Sequence, residues 1–160
     1  MKYKVLVGTA LITLLTGCAN QNPSTTWNES LIKAKAPVRM IKDDSFPDKK
    51  GVRYIENWAG VKGKSILNER YINMLYADIE KKCGYGKEQF IEAYIVQHTN
   101  NATGNIIEEV WLFNDSKSLR DDKISGLTVY LEYDKKTDFT KGEIFGNCHT
   151  GKGMSFTFND

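Results

Sequence analysis

The chain has 160 residues, which suits one domain of ordinary size. It contains 22 basic and 20 acidic residues, and Lys2 and Lys4 account for the excess, so residues 18–160 carry 20 charges of each sign. A chain without a basic excess lacks the electrostatic signature of a nucleic-acid-binding protein. We therefore expect no nucleic-acid partner.

The first residues have the layout of an export signal. A short basic start, Met1–Lys4, is followed by the apolar stretch Val5–Leu15, which only one glycine and two threonines interrupt. This stretch is shorter than the roughly 20 apolar residues that a transmembrane helix needs. The pattern predicts that residues 1–17 are a signal peptide.

The end of this segment, Leu15-Thr16-Gly17-Cys18, resembles the lipobox of bacterial lipoproteins: an aliphatic residue, two small residues and a cysteine behind an apolar stretch. The resemblance implies cleavage before Cys18 and lipidation of its thiol, and two or more acyl chains hold a protein stably on a membrane. The alternative is an ordinary secretory signal with an unrelated cysteine.

The residue after the cysteine bears on which membrane is involved. In lipoproteins of enteric-type bacteria, Asp at this position favours retention in the inner membrane, whereas this chain has Ala19. The resemblance therefore implies the periplasmic face of the outer membrane rather than the inner membrane. The following residues, Asn20–Thr26, are small and polar, so residues 18–26 are predicted to be the lipidated cysteine and a flexible tether.

A single domain is predicted over residues 27–160. It begins with a helix over 27–36 that ends at a proline, followed by two short strands, Val38–Ile41 and Val52–Asn57. Two glycines, Gly60 and Gly63, then interrupt the chain.

The strongest helix prediction covers Ser65–Lys82. Ser65 is the predicted N-cap, and Glu69 lies in the first turn, where the helix dipole favours an anion. Gly84 suits the left-handed position after the helix. One apolar stripe runs along it at steps of three and four residues: Leu67, Tyr71, Met74, Leu75 and Ile79.

The second half of the chain alternates with a period of two, which predicts strands. In the clearest example, Leu127, Val129 and Leu131 face one way while the residues between them face the other. Short connections favour antiparallel neighbours. The sequence therefore predicts an α+β fold: an antiparallel sheet of about five strands with one main amphipathic helix packed on a face. The predicted strands are Glu88–Thr99, Ile106–Asn114, Gly126–Asp134, Phe139–Cys148 and Met154–Phe158.

Two cysteines, Cys83 and Cys148, remain besides Cys18. In an oxidising compartment an even pair is typical of a disulfide. Their spacing matches no zinc-ligand pattern, and the sequence predicts neither a metal nor a cofactor. Because Cys83 ends the predicted helix and Cys148 ends a late strand, the bond is expected to pin the helix to the sheet.

Catalytic motifs are not recognisable in this chain. It has two histidines, of which His98 is interpreted as structural and His149 as a surface residue. The adjacent carboxylates Glu108 and Glu109 lie in a predicted strand, so they point to opposite faces and cannot share one site. We therefore expect no enzymatic activity; the lower alternative is a glycan-acting hydrolase that uses loop carboxylates.

Three aromatic residues, Trp58, Tyr85 and Tyr130, lie at predicted loops or on the second face of the sheet. Exposed aromatic side chains mark contact surfaces, so these residues are hypothesised to bind a partner. The leading hypothesis is a non-catalytic, membrane-anchored, protein-binding lipoprotein, either an envelope accessory protein or a toxin-immunity or inhibitor protein. The alternative is a lipoprotein that binds a lipid or glycan in a cleft between helix and sheet.

Overall fold

A computed structural model describes residues 23–47 and 51–158. The predicted export signal and the segment that resembles a lipobox, which ends at Cys18, lie outside the described residues. The described part is α+β, as predicted, and a short 3₁₀ helix, Lys87–Gln89, precedes its fourth strand. The elements in chain order are α1 (Pro23–Lys33), β1 (Val38–Lys42), β2 (Val52–Trp58), β3 (Val61–Gly63), α2 (Glu69–Cys83), β4 (Phe90–Asn100), β5 (Gly104–Asn114), β6 (Ile124–Asp134), β7 (Phe139–Phe145) and β8 (Ser155–Phe158).

The main sheet has five antiparallel strands in the order β3-β4-β5-β6-β7. Its central strand, β5, pairs along its whole length with β6, for example Trp111 with Leu127. The predicted alternation is confirmed in β6, because Leu127, Val129 and Leu131 all face the main hydrophobic core. The seventh strand ends at Phe145 rather than at Cys148, since Gly146 adopts a positive φ of 110° and turns the chain.

The main helix, α2, begins later than predicted. Asn68, not Ser65, is the N-cap, and its side chain accepts the backbone N–H of Tyr71 at 3.1 Å. The Ser65 hydroxyl instead accepts the N–H of Leu67 and closes a local turn before the helix. The predicted end is confirmed, because Gly84 is left-handed (φ 74°) and its N–H donates to Glu80.

The helix packs on one face of the main sheet, which we call the helix face. Leu75 and Ile79 of α2 are buried against a core that includes Trp111 and Phe113 of β5. The predicted disulfide is present: Cys83 at the end of α2 is bonded to Cys148, with their Cα atoms 4.9 Å apart. The bond holds the C-terminal end of the helix to the segment after β7.

A second sheet, of three antiparallel strands in the order β1-β2-β8, was not anticipated. It forms because residues distant in sequence pair, such as Tyr54 with Phe156. Helix α1 lies beside it, and the Asn28 side chain bonds both the N–H and the C=O of Met40 in β1. This helix begins at Pro23, not Trp27, since proline is favoured in the first turn of a helix. Residues 23–26, assigned to the tether, are therefore helical.

The opposite side of the main sheet, which we call the outer face, is also covered in part. A small cluster forms where Trp58 and Ala59 at the end of β2 pack against Val110 and Leu112 of β5. Because β5 is covered on both faces, its side chains are largely apolar on both sides.

Candidate functional site

Helix α2 covers only part of the helix face, and a cleft lies at its N-terminal end. The cleft has a volume of about 280 Å³. Its floor is the uncovered end of the central strands, and its walls are the segment before α2, the first turn of α2 and the start of β7. We call it the α2 cleft; its lining residues are Ile66, Leu67, Asn68, Tyr71, Asn105, Ile107, Leu131, Tyr133 and Thr140.

The α2 cleft combines an apolar floor with an aromatic wall. Ile107 and Leu131, paired across β5 and β6, form the floor. The Tyr71 hydroxyl lies 2.8 Å from the Thr140 hydroxyl, which fixes the first turn of α2 to the edge strand. At the rim, Ile66 exposes 39% of its surface. An apolar floor with tyrosine at the rim is the composition of many binding pockets.

One polar atom in the cleft has no partner. The side-chain oxygen Oδ1 of Asn105 is buried and accepts no hydrogen bond within the described ranges 23–47 and 51–158. An unsatisfied buried acceptor costs about 1–3 kcal/mol. This oxygen is closed off from solvent, so it offers an acceptor to a bound ligand or partner only when the Asn105 amide turns toward the cleft.

The segment before α2 is held by a buried carboxylate. Glu109 on the helix face is completely buried, and its Oε1 accepts the N–H of Ile66 at 2.8 Å. Its Oε2 accepts the indole N–H of Trp111 at 2.7 Å. Glu108 points to the outer face and pairs with Lys35 at 2.7 Å, so the prediction that these two carboxylates face apart is confirmed. Glu109 thereby positions the rim of the α2 cleft.

A second polar cluster surrounds Asp115, which follows β5. Oδ2 of this buried carboxylate accepts hydrogen bonds from Tyr85 Oη (2.9 Å), Ser125 Oγ (2.7 Å) and His149 Nδ1 (2.9 Å). Burial acts to raise the pKa of Asp115, but the hydrogen bonds outweigh it and lower the pKa to about 2. Asp115 thus joins the segment after α2, the start of β6 and the disulfide loop.

The geometry around His149 differs from that of a hydrolase triad. Its Nδ1–H donates to Asp115, and its side chain is 42% exposed. The Ser125 hydroxyl, however, donates to the same carboxylate and lies on that side of the imidazole. In a triad the serine bonds the opposite ring nitrogen, so this cluster orients the disulfide loop rather than a nucleophile. His149 is exposed, as predicted, but the sequence did not indicate its hydrogen bond to Asp115.

Two of the three predicted contact residues are not exposed anchors. The Trp58 ring is partly buried and packs closely on Gly126, where an added Cβ would lie 2.5 Å from the ring. The Arg120 guanidinium covers the ring at 4.4 Å from its centroid. Tyr85 is buried, stacks on Phe113, and donates to Asp115. Their loop positions hid these contacts, which come from segments distant in sequence.

Tyr130 lies on the outer face and is only partly covered. The Lys35 ammonium lies 4.1 Å from the centroid of the Tyr130 ring, and the Tyr130 hydroxyl donates to Glu132. The structure therefore does not bring the three predicted residues together. The residues that line the α2 cleft were predicted as helix or strand positions, except Asn105, which lies between two predicted strands, and they were not predicted as a site.

No protein-family model matches this chain, and no curated protein or solved structure matches it either. Within the described ranges, neither helix is long and apolar enough to cross a membrane. The same residues contain no group of three or more histidine, cysteine or carboxylate side chains that could hold a metal ion.

Proposed function

We propose that this protein is an envelope lipoprotein, anchored through Cys18, that binds a partner protein in the α2 cleft without catalysing a reaction. The observation that carries the proposal is the α2 cleft itself, an open apolar floor beside a tyrosine wall on a fixed helix-and-sheet frame. Rigid aromatic residues around an apolar pocket are typical of the anchor points of protein interfaces.

Three features of the cleft favour a protein as the partner. Its volume of about 280 Å³ suits one or two apolar side chains better than a large cofactor. Ile66 extends the apolar surface beyond the cleft, and Met74, one helical turn after Tyr71, is 47% exposed. A partner that covers these side chains and the cleft together must be larger than a ligand that fills the cleft alone.

Electrostatics add specificity rather than long-range attraction. The domain has no net charge after residue 17, so association is not driven by a general field. We expect the Asn105 amide to turn toward the cleft on binding, so that its unpartnered Oδ1 receives a donor at a defined place. We expect the partner to present an apolar side chain with an N–H or O–H group close to it.

The cleft can be tested with a matched pair of substitutions. Ile66→Glu places a charge at the rim of the cleft, whereas Leu119→Glu places one at a 68% exposed apolar residue that does not line it. Capture of envelope proteins by crosslinking from intact cells is expected to lose the cleft partner in the first variant and keep it in the second. Equal capture by both variants would contradict the proposal.

The anchor is tested separately. Because Leu15–Cys18 resembles a lipobox, Cys18→Ser is expected to abolish lipidation and to release the protein from the membrane fraction. Intact-mass measurement of the wild-type chain should show the added acyl groups, and sucrose-gradient separation should place it with the outer membrane. An unmodified mass with unchanged fractionation of Cys18→Ser would overturn the lipoprotein assignment.

A second candidate function is the binding of a small lipid or glycan in the same cleft, and the unpartnered Asn105 oxygen favours it. Native mass spectrometry of the gently extracted protein distinguishes the two functions. A small ligand should appear as a discrete added mass that Asn105→Leu removes. A protein partner leaves the mass of the isolated chain unchanged.

A further inference from the structure

The strand β7 forms one edge of the main sheet, so only one of its two edges pairs with a described strand. Among residues 23–47 and 51–158, no strand other than β6 pairs with it. The other edge strand, β3, has only three residues, whereas β7 has seven. A long unpaired edge exposes a row of N–H and C=O groups, which is a template for another strand.

The sequence of β7, Phe-Thr-Lys-Gly-Glu-Ile-Phe, is complementary to itself about Gly142. When two copies run antiparallel with Gly142 opposite Gly142, Lys141 of each copy lies opposite Glu143 of the other. In the same register Thr140 faces Ile144 and Phe139 faces Phe145. Opposite charges, β-branched pairs and aromatic pairs are the cross-strand combinations that stabilise antiparallel sheets.

We propose that β7 pairs with β7 of a second copy of this chain, so that two five-stranded sheets join into one continuous sheet across a two-fold axis at Gly142. This interface is isologous, because each copy contributes the same strand. It is independent of the partner protein proposed for the α2 cleft.

The charges select this register. A two-fold symmetric pairing shifted by one residue in each strand centres on Lys141 or on Glu143. Either shift places like charges directly opposite each other, which destabilises a strand pair. Only the register centred on Gly142 places each ammonium opposite a carboxylate. The strand therefore encodes one register instead of a general tendency to aggregate.

Three of the side chains that this pairing uses, Phe139, Lys141 and Glu143, are accessible. Lys141 and Glu143 lie 2.9 Å apart on the outer face of one copy, with side chains 53% and 39% exposed. Phe139 is 61% exposed, so its ring is available to a second copy. A Cβ placed on Gly142 meets no atom within 4 Å, so a cysteine side chain fits at this position without displacing its neighbours.

The joined sheet also fixes how the two copies are oriented. Residues directly opposite in an antiparallel pair point to the same face, so the helix faces of both copies lie on one side of the joined sheet. The outer faces, where Lys35 beyond the end of α1 reaches Glu108, lie together on the other side. The N-terminal helices of both copies therefore approach from the same side.

The test is a cysteine crosslink in the full chain, exported with its own signal. Gly142→Cys is expected to give a reducible dimer as the main species on a non-reducing gel, because the two Gly142 positions face each other. Two controls are matched to it. Lys152→Cys places the thiol in an exposed segment after the end of β7, and Lys141→Cys places the two thiols on a diagonal, beyond the usual disulfide distance. Both controls are expected to stay mainly monomeric.

A charge swap decides whether the register is the proposed one. In the Gly142→Cys background, Glu143→Lys should lower the dimer yield several-fold, because Lys then faces Lys. Adding Lys141→Glu restores opposite charges and should restore the dimer. The proposal is overturned if Gly142→Cys stays monomeric with a free thiol, or if Lys152→Cys dimerises equally well. It is also overturned if the double swap fails to restore the dimer although the chain retains the Cys83–Cys148 bond.

Discussion

Glu109 and Ile66 are joined by a hydrogen bond from the Ile66 N–H to a completely buried carboxylate oxygen, at 2.8 Å. The other oxygen of Glu109 accepts the indole N–H of Trp111. Both partners are donors, and a carboxylate presents acceptors on each of its oxygens. This carboxylate therefore connects the rim of the α2 cleft to the centre of the main sheet.

We predict that Glu109→Gln destabilises the protein by about 1–3 kcal/mol, since the amide group of glutamine must direct its own N–H toward one of two donors. Glu108→Gln is the matched control, because its amide oxygen still accepts from Lys35. Urea unfolding of the two variants measures the difference. Equal free energies of unfolding would show that the Glu109 hydrogen bonds contribute little.

The disulfide is predicted to be a main source of stability. Cys83 and Cys148 are separated by 65 residues, and closing a loop of that length stabilises a domain by on the order of 4 kcal/mol in the chain-entropy model. A whole domain is stable by only about 5–15 kcal/mol. Reduction should therefore lower the melting temperature strongly, and the mature oxidised protein should contain no free thiol. Two free thiols before reduction would contradict the bond.

Asp115 predicts a specific response to acid. Its pKa is about 2 in the folded protein, below the value near 3.9 of an unfolded chain, because Ser125, His149 and Tyr85 donate to it. A depressed pKa contributes stability above the unfolded value, and this contribution of about 2 kcal/mol is lost as the pH falls from about 4 toward 2.

The comparison that isolates this effect is Asp115→Asn against wild type, with urea midpoints measured at pH 7, 4, 3 and 2. The variant should be less stable at pH 7 and lose less stability between pH 4 and pH 2. Parallel losses in the two proteins over that range would assign the acid sensitivity to other groups.

Trp58 is predicted to stabilise the fold rather than to bind a partner. Its ring lies between Gly126 and the Arg120 guanidinium and joins the outer-face cluster. Trp58→Ala should cost about 3 kcal/mol, in the range for removing an aromatic side chain from a packed site. Leu119→Ala, at an exposed position, should change stability little. Indistinguishable melting temperatures for the two variants would contradict a stabilising role for Trp58.

Features set by local chemistry were predictable from the sequence. The alternation of Leu127 and Val129 with their neighbours fixed the faces of β6, and Gly84 marked the end of α2. The even cysteine pair predicted the disulfide. Each of these depends on neighbouring residues or on composition.

Features set by contacts between distant segments were not predictable. Ser65 has the same chemistry as an N-cap, but its hydroxyl bonds Leu67 while Glu109 holds the segment, so the helix begins three residues later. Tyr85 was expected at the surface, and its burial depends on Asp115, 30 residues away. The first of these long-range effects involves Ile66, a residue that lines the α2 cleft.

Photo-crosslinking from the rim of the α2 cleft tests the central claim most directly. A photoreactive phenylalanine analogue replaces Ile66 in the full chain, and the same analogue replaces Leu119 in a matched chain. Irradiation of intact cells should yield one discrete protein adduct from position 66 that excess wild-type protein suppresses, and no such adduct from position 119. No adduct at position 66, or the same adducts at both positions, would contradict binding of a partner protein in the cleft.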